Sequence, residues 1–200
     1  MRTSRWVLVG GTTLLLVGAT ACAGGPTDKP LTSSHDLEAV CTRGTAYTSA
    51  PAHAGAAPHP VMLFVTDEGN GTDSMIEHYV SMYSATGSSA PVNPAFAFED
   101  AYSPSAYATA QLVACVQRTQ TTPTGRTCSF SHDTAPMADA TYELTVYETS
   151  TAAAVGPPVT LIPDSKDCPT SALVDEDRPE VYTAPSDKQY VEALRPYVEG

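Results

Sequence analysis

The chain has 200 residues, ten Lys and Arg against 22 Asp and Glu, and a formal net charge of −12. A surface this acidic repels phosphate backbones and anionic headgroups, which argues against nucleic acid as a partner and against electrostatic adsorption to membranes. Apolar residues make up 42% of the chain, enough for one buried core and for no long run of membrane spans.

Residues 1–21, MRTSRWVLVGGTTLLLVGATA, open with Arg2 and Arg5 and continue into an apolar stretch broken at Gly10–Thr13. A spanning helix needs about 20 predominantly apolar residues, so this segment is too short and too interrupted for a comfortable anchor. A basic start, a short apolar centre and small residues at the end are the marks of a removable secretion signal. Ala19-Thr20-Ala21-Cys22 resembles a bacterial lipobox, in which cleavage leaves the cysteine first and ready for acylation. Ordinary secretion with a cut after Ala21 fits the same residues. Removal of Arg2 and Arg5 takes the charge from −12 to −14. The expected location is the outer face of the cytoplasmic membrane, through lipid (palmitate) on Cys22, with secretion as the alternative. Acyl chains contribute ~0.8 kcal/mol per buried CH₂, so two or three chains hold firmly where one does not.

Residues 22–33 read as the lipidated cysteine and a flexible tether, rich in Gly and Pro, with a reach of ~18 Å. Residues 34–200 read as a single domain with an irregular insertion at about 66–106. Within the domain, Ser34–Cys41 predicts a short helix with Leu37, Val40 and Cys41 on one side. A loop rich in Pro, Gly and Ala follows, up to Pro60. Val61–Val65 is an apolar run long enough for a buried strand and too short for a helix. Inside the insertion, Ser74–Met82 could make two helical turns. Gln111–Arg118 and Arg126–Ser131 flank a Thr/Pro/Gly-rich turn and predict a β-hairpin. Ala140–Glu148 alternates, with Tyr142, Leu144 and Val146 on one face and Glu143 and Thr145 on the other, as in a half-buried antiparallel strand. Ala153–Ile162 can pair back on it, with Val155 and Val159 facing Val146 and Tyr142. Pro157 and Pro158 make that strand an edge. Ser186 and Gln189 form a capping box for a final helix with Tyr190, Val191, Leu194, Tyr197 and Val198 in one stripe, which Pro196 is expected to end near Arg195.

The five cysteines are Cys22, Cys41, Cys115, Cys128 and Cys168. Assigning Cys22 to lipid leaves four, which close into two disulfides outside the cytoplasm. Three pairings are open. A hairpin turn near Thr121–Thr122 would place Cys115 opposite Cys128, which favours Cys115–Cys128 and Cys41–Cys168.

No catalytic, metal-binding or cofactor motif rises above background. His53 and His59 share a loop without a third zinc ligand, and read as loop histidines. Asp67, Asn70 and Asp73 suggest calcium, but position twelve of that frame is His78 and not Glu, so a turn is the better reading. His132-Asp133 lacks any accompanying G-x-S-x-G elbow and reads as a turn after a strand. The charge run 175–180 reads as a solvated loop, and Tyr142 and Tyr190 read as core.

Val40-Cys41, Pro58–Val61, Leu112–Val116, Cys128, Thr145–Glu148, Cys168-Pro169 and Ala193–Val198 together resemble a family of small actinobacterial lipoproteins, over residues 38–65 and 108–198. The resemblance implies an address and an architecture and no activity. The expected fold is a β-rich α+β domain, an antiparallel sheet or meander with a C-terminal helix packed on it and two disulfides. The expected role is a membrane-anchored binding or envelope module, non-enzymatic, meeting an envelope protein or the cell wall. A small secreted hydrolase or enzyme inhibitor is the alternative.

Overall fold

The structure is a computed structural model and describes residues 24–66, 82–83, 104–131, 134–169 and 180–200. The leader, Cys22, Asp67, Asn70, Asp73, His132, Asp133 and most of the 175–180 run lie outside these residues. So does the helix expected over Ser74–Met82, save for Met82 itself, which opens a strand.

The first helix, α1 (Ser34–Arg43), starts where Ser33 and Asp36 close a capping box. Asp36 Oδ2 accepts from the backbone N–H groups of Thr32 and Ser33 at 2.9 and 3.0 Å, and from both hydroxyls. Burial pushes its carboxyl pKa up, but these hydrogen bonds outweigh burial and hold it below the ordinary range. Gly44 ends the helix at φ 61°, a left-handed position where glycine avoids the Cβ penalty. The remaining elements are β1 (Val61–Thr66), β2 (Met82–Tyr83), α2 (Pro104–Thr109), β3 (Leu112–Ser129), β4 (Thr134–Glu148), β5 (Val159–Leu161), β6 (Val181–Tyr182) and α3 (Asp187–Val198).

The strands form one sheet in the order β2-β1-β3-β4-β5, with β6 also paired to β4. The protein is α+β with two disulfides, as expected, but the sheet is mixed and not a simple meander. β1 runs parallel to β3, from Val61 opposite Leu112 to Thr66 opposite Gln117. Parallel neighbours need a crossover of a dozen or more residues, so the long stretch between β1 and β3 has a topological cause.

Both faces of the inner sheet are buried. Val61, Leu63, Leu112, Ala114, Val116, Leu144 and Val146 pack against Tyr190, Leu194 and Val198 of α3. On the other face, Met62, Phe64 and Val113 pack against Leu37, Ala39 and Val40 of α1. Burial on both sides is why the VMLFV run shows no polar alternation. β4 alternates as expected in its second half, with Glu143 exposed and Thr145 half-buried.

Several expectations are corrected. There is no hairpin turn near Thr121–Thr122: β3 continues through that segment to Ser129, with a register shift between Pro123 and Arg126. Gly125 adopts φ 73° there, and the bulge absorbs the residues that read as a turn. Cys115 and Cys128 therefore lie on one strand, ~43 Å apart along an extended chain, and cannot bond each other. The disulfides are Cys41–Cys115, which ties α1 to β3, and Cys128–Cys168, which ties the far end of β3 to the segment after β5. Within Ala153–Ile162, Val155 does face Val146, donating its N–H to Val146 O at 2.9 Å beside a Tyr147–Ala154 bridge, but in β5 Val159 faces Leu144 while Leu161 faces Tyr142. Pro157 and Pro158 fall in the gap between Val155 and β5.

Pro196 does not end α3, which runs to Val198. The lost donor sits in the last turn, and a fully buried Val198, whose carbonyl accepts from His59 N–H at 2.9 Å, holds that turn in place. The tether also differs from expectation within the described residues. Gly24 N–H donates to Arg43 O, Thr27 bridges to Tyr47, and Leu31 is buried in the α1-side core. From Gly24 onward this segment belongs to the domain.

Candidate functional site

A group of titratable side chains lies where three chain segments meet at one end of the sheet. His53 and His59 come from the loop between α1 and β1, Gln111 precedes β3, Glu148 ends β4 and Thr149 follows it. Backbone hydrogen bonds fix this junction. Pro60 O accepts from Gln111 and Leu112 N–H at 3.0 and 3.1 Å, Thr149 N–H donates to Gln111 O at 2.9 Å, and Tyr47 N–H donates to Thr149 O at 3.0 Å.

His59, one residue from a strand that is buried on both faces, is carried inward with it and is only 3% exposed. Its Nδ1 lies 2.7 Å from Gln111 Oε1. An amide oxygen only accepts, so this assignment puts the ring proton on Nδ1 and leaves Nε2 as the acceptor. The His53 ring stands edge-on to His59, with centroids 4.4 Å apart and planes at 75°. Glu148 completes the group: Oε1 accepts the His53 backbone N–H at 2.9 Å and Oε2 accepts the Thr151 hydroxyl at 2.8 Å. The His53 N–H, followed by the Thr151 hydroxyl, holds the Glu148 carboxyl below the ordinary glutamate range. His53 Nε2 and Thr149 Oγ1 are buried with no hydrogen-bond partner.

This arrangement is a joint more than a reaction centre. General-base chemistry needs an imidazole within reach of a nucleophile, with a second group orienting the base. Here the orienting half exists, in Gln111 on His59. The hydroxyl of Thr151 is engaged by Glu148, that of Thr149 has no base bonded to it, and among the described residues Cys41, Cys115, Cys128 and Cys168 are all in disulfides. Among the described residues, no group of three or more His, Cys, Asp and Glu could hold a metal ion.

The sequence singles out His53 and His59, and the structure brings them into ring contact. It gives His59 a buried role that its Pro-flanked loop position does not announce. Gln111, Glu148, Thr149 and Thr151 carry no signal in the sequence, because their meeting depends on the parallel β1–β3 register. Tyr142 and Tyr190 are buried, as expected.

A second polar group lines the far half of the β3–β4 pair. Arg118 lies over the Tyr182 ring at 3.5 Å from its centroid, Lys166 Nζ pairs with Asp139 at 3.2 Å, and the Arg126 guanidinium donates to Lys166 O. The first ties β6 to β3, the other two tie the segment before Cys168 to the strands, and they converge on no common point.

No protein-family model, curated protein or solved structure matches the chain.

Proposed function

We propose that the protein is a lipid-anchored, extracytoplasmic, non-enzymatic module of the cell envelope, with Cys22 as its acylated residue. The observation that carries this reading is the pairing of cysteines: Cys41–Cys115 and Cys128–Cys168 engage four of the five, and Cys22 alone has no partner within the chain. Two disulfides belong to an oxidising compartment, and a fifth cysteine directly after Ala19-Thr20-Ala21 has a chemical use as the lipid acceptor. The non-enzymatic part rests on the histidine joint, where the Glu148 carboxylate and the Gln111 amide brace the two histidines and their loop. Partner binding to an envelope protein or the cell wall is the role such a module would serve.

The test is expression of the full chain in a bacterial host that processes lipoproteins, beside Cys22→Ala. The native protein should partition with membranes and gain the mass of acyl chains on the peptide that starts at Cys22. The variant should lose that mass and leave the membrane fraction. A variant that stays membrane-bound, or a native protein without acyl mass, overturns the anchor.

A further inference from the structure

Cys22 precedes Gly24, where the described domain starts, by two residues. Fully extended chain spans ~3.5 Å per residue, so Gly24 lies no more than ~7 Å from Cys22. At Gly24 the chain is already pinned. Its N–H donates to Arg43 O at the end of α1, and a Cβ at Gly24 would land on Thr45 Oγ1 and crowd Arg43 O at 3.1 Å. From there residues 24–29 run beside 43–49: Thr27 N–H donates to Ala46 O at 2.8 Å, Thr48 N–H to Thr27 O at 2.9 Å, and the Ser49 hydroxyl to Lys29 O at 2.9 Å. Leu31 then enters the α1-side core. A lipid on Cys22 would thus be joined to a clamped segment and not to a free spacer.

Charge along the chain agrees with that placement. Residues 24–60 carry Asp28, Asp36 and Glu38 against Lys29 and Arg43, a net −1, whereas residues 61–200 carry 19 acids against six bases, a net −13. The segment nearest the anchor is the near-neutral part of a strongly acidic protein, and Arg43 stands exposed at the point where Gly24 docks. Anionic headgroups therefore meet less repelling charge in this stretch of the chain than in the remainder.

We propose that the domain is seated directly on the phospholipid headgroup layer through the face formed by Gly24 and the C-terminal turn of α1 (Thr42–Thr45). This rests on the lipid anchor at Cys22 and adds to it: the anchor fixes orientation as well as location. The seat presents one constant face to the membrane, with partners meeting the remaining surface.

Processing removes Trp6, the only tryptophan, so an introduced indole reports alone. Thr42 is exposed beside Arg43, and Thr42→Trp places the probe in the seat. The acylated protein is reconstituted into phosphatidylglycerol–phosphatidylethanolamine vesicles carrying a dansyl group on a fraction of the headgroups. Strong energy transfer from the indole is expected. Insertion of ten Gly/Ser residues between Ala23 and Gly24 adds a reach of ~17 Å and should lower transfer several-fold while the protein stays vesicle-bound. Transfer that is unchanged by the spacer, in protein that remains bound, overturns the seat and leaves the anchor standing. Protein that fails to bind vesicles at all, with or without Cys22, overturns both.

Discussion

The two halves of the long β3–β4 pair are held by different means. In the half nearest the histidine joint, Leu112, Val113, Ala114 and Val116 of β3 are buried, and helices cover both faces of the sheet. In the far half, β3 is exposed at residues 119–123 and again at 125–127. There the buried cluster, among the described residues, is Cys128, Ala135, Met137 and Val181, with Phe130 against it. A continuous ladder of backbone hydrogen bonds does not by itself make uniform stability, because pairing two strands without a buried face is marginal in water. The near half is stabilised by extensive hydrophobic burial; the far half combines a small buried cluster with the Cys128–Cys168 bond.

Removing the disulfides one at a time breaks this contrast most sharply. The bonds close loops with sequence separations of 74 and 40 residues. Loop-closure entropy assigns each about 4 kcal/mol. Their effects should nevertheless differ in place. Cys41→Ser with Cys115→Ser should lower the unfolding free energy of the whole domain by about that amount and bring the melting temperature down. Cys128→Ser with Cys168→Ser should leave amide protection in residues 112–117 and 142–147 near native, while amides of 119–128 exchange far faster. Equal loss of protection in both halves under the second pair of substitutions would show that the ribbon and the core open as one unit.

Truncating one buried side chain in each half sharpens the same comparison. Leu144 is fully buried between β-strand neighbours and α3. Leu144→Ala should cost about 3 kcal/mol in denaturant unfolding, since a core walled by helices cannot collapse onto the cavity. Met137 is as deeply buried, but its cluster is small and its neighbours are on a ribbon free to close in. Met137→Ala should cost about 2 kcal/mol or less and should be read mainly as local exchange in the ribbon. A global loss from Met137→Ala equal to that from Leu144→Ala would remove the distinction between the halves.

The same contrast explains which parts of the fold were legible in the sequence. Elements of the near half announce themselves: Leu37 and Val40 at helical spacing, the VMLFV run, the Tyr142-Leu144-Val146 alternation, and the Ser186–Gln189 capping box that starts α3. Each signal records burial, and this half is the buried one. In the far half, TQTTPTG offers no apolar alternation, and Pro123 and Gly125 are the strongest turn residues available. The strand tolerates them because β1 ends its pairing with β3 at Gln117, so on that side Pro123 withholds its missing N–H from no neighbour among the described residues. Misplacing the turn also misplaced the disulfides, since the pairing rested on Cys115 facing Cys128. The histidine joint was half legible, because His53 and His59 are close in the chain, whereas Gln111 and Glu148 reach them only through the parallel register of β1 on β3.

Glu148 gives the mildest test, at the polar end of the near half. Its carboxyl is held below the ordinary glutamate range by the His53 N–H and the Thr151 hydroxyl, both of which favour the ionised form. A group whose folded pKa is depressed contributes stability above its unfolded pKa, ~4.3 for Glu, and loses it as pH falls through the folded value. Glu148→Gln keeps an acceptor for the His53 N–H but removes the charge. At neutral pH the native protein should therefore be modestly the more stable of the two. That difference should shrink as pH drops below ~4.3, where the unfolded chain's carboxyl takes up its proton first, and vanish below the lower folded value. Asp36 titrates in the same window in both proteins and cancels from the difference. Denaturant midpoints measured in parallel down this pH range read the effect directly, and a gap that stays constant through it would mean that the carboxylate braces the His53 loop by shape alone and not by charge.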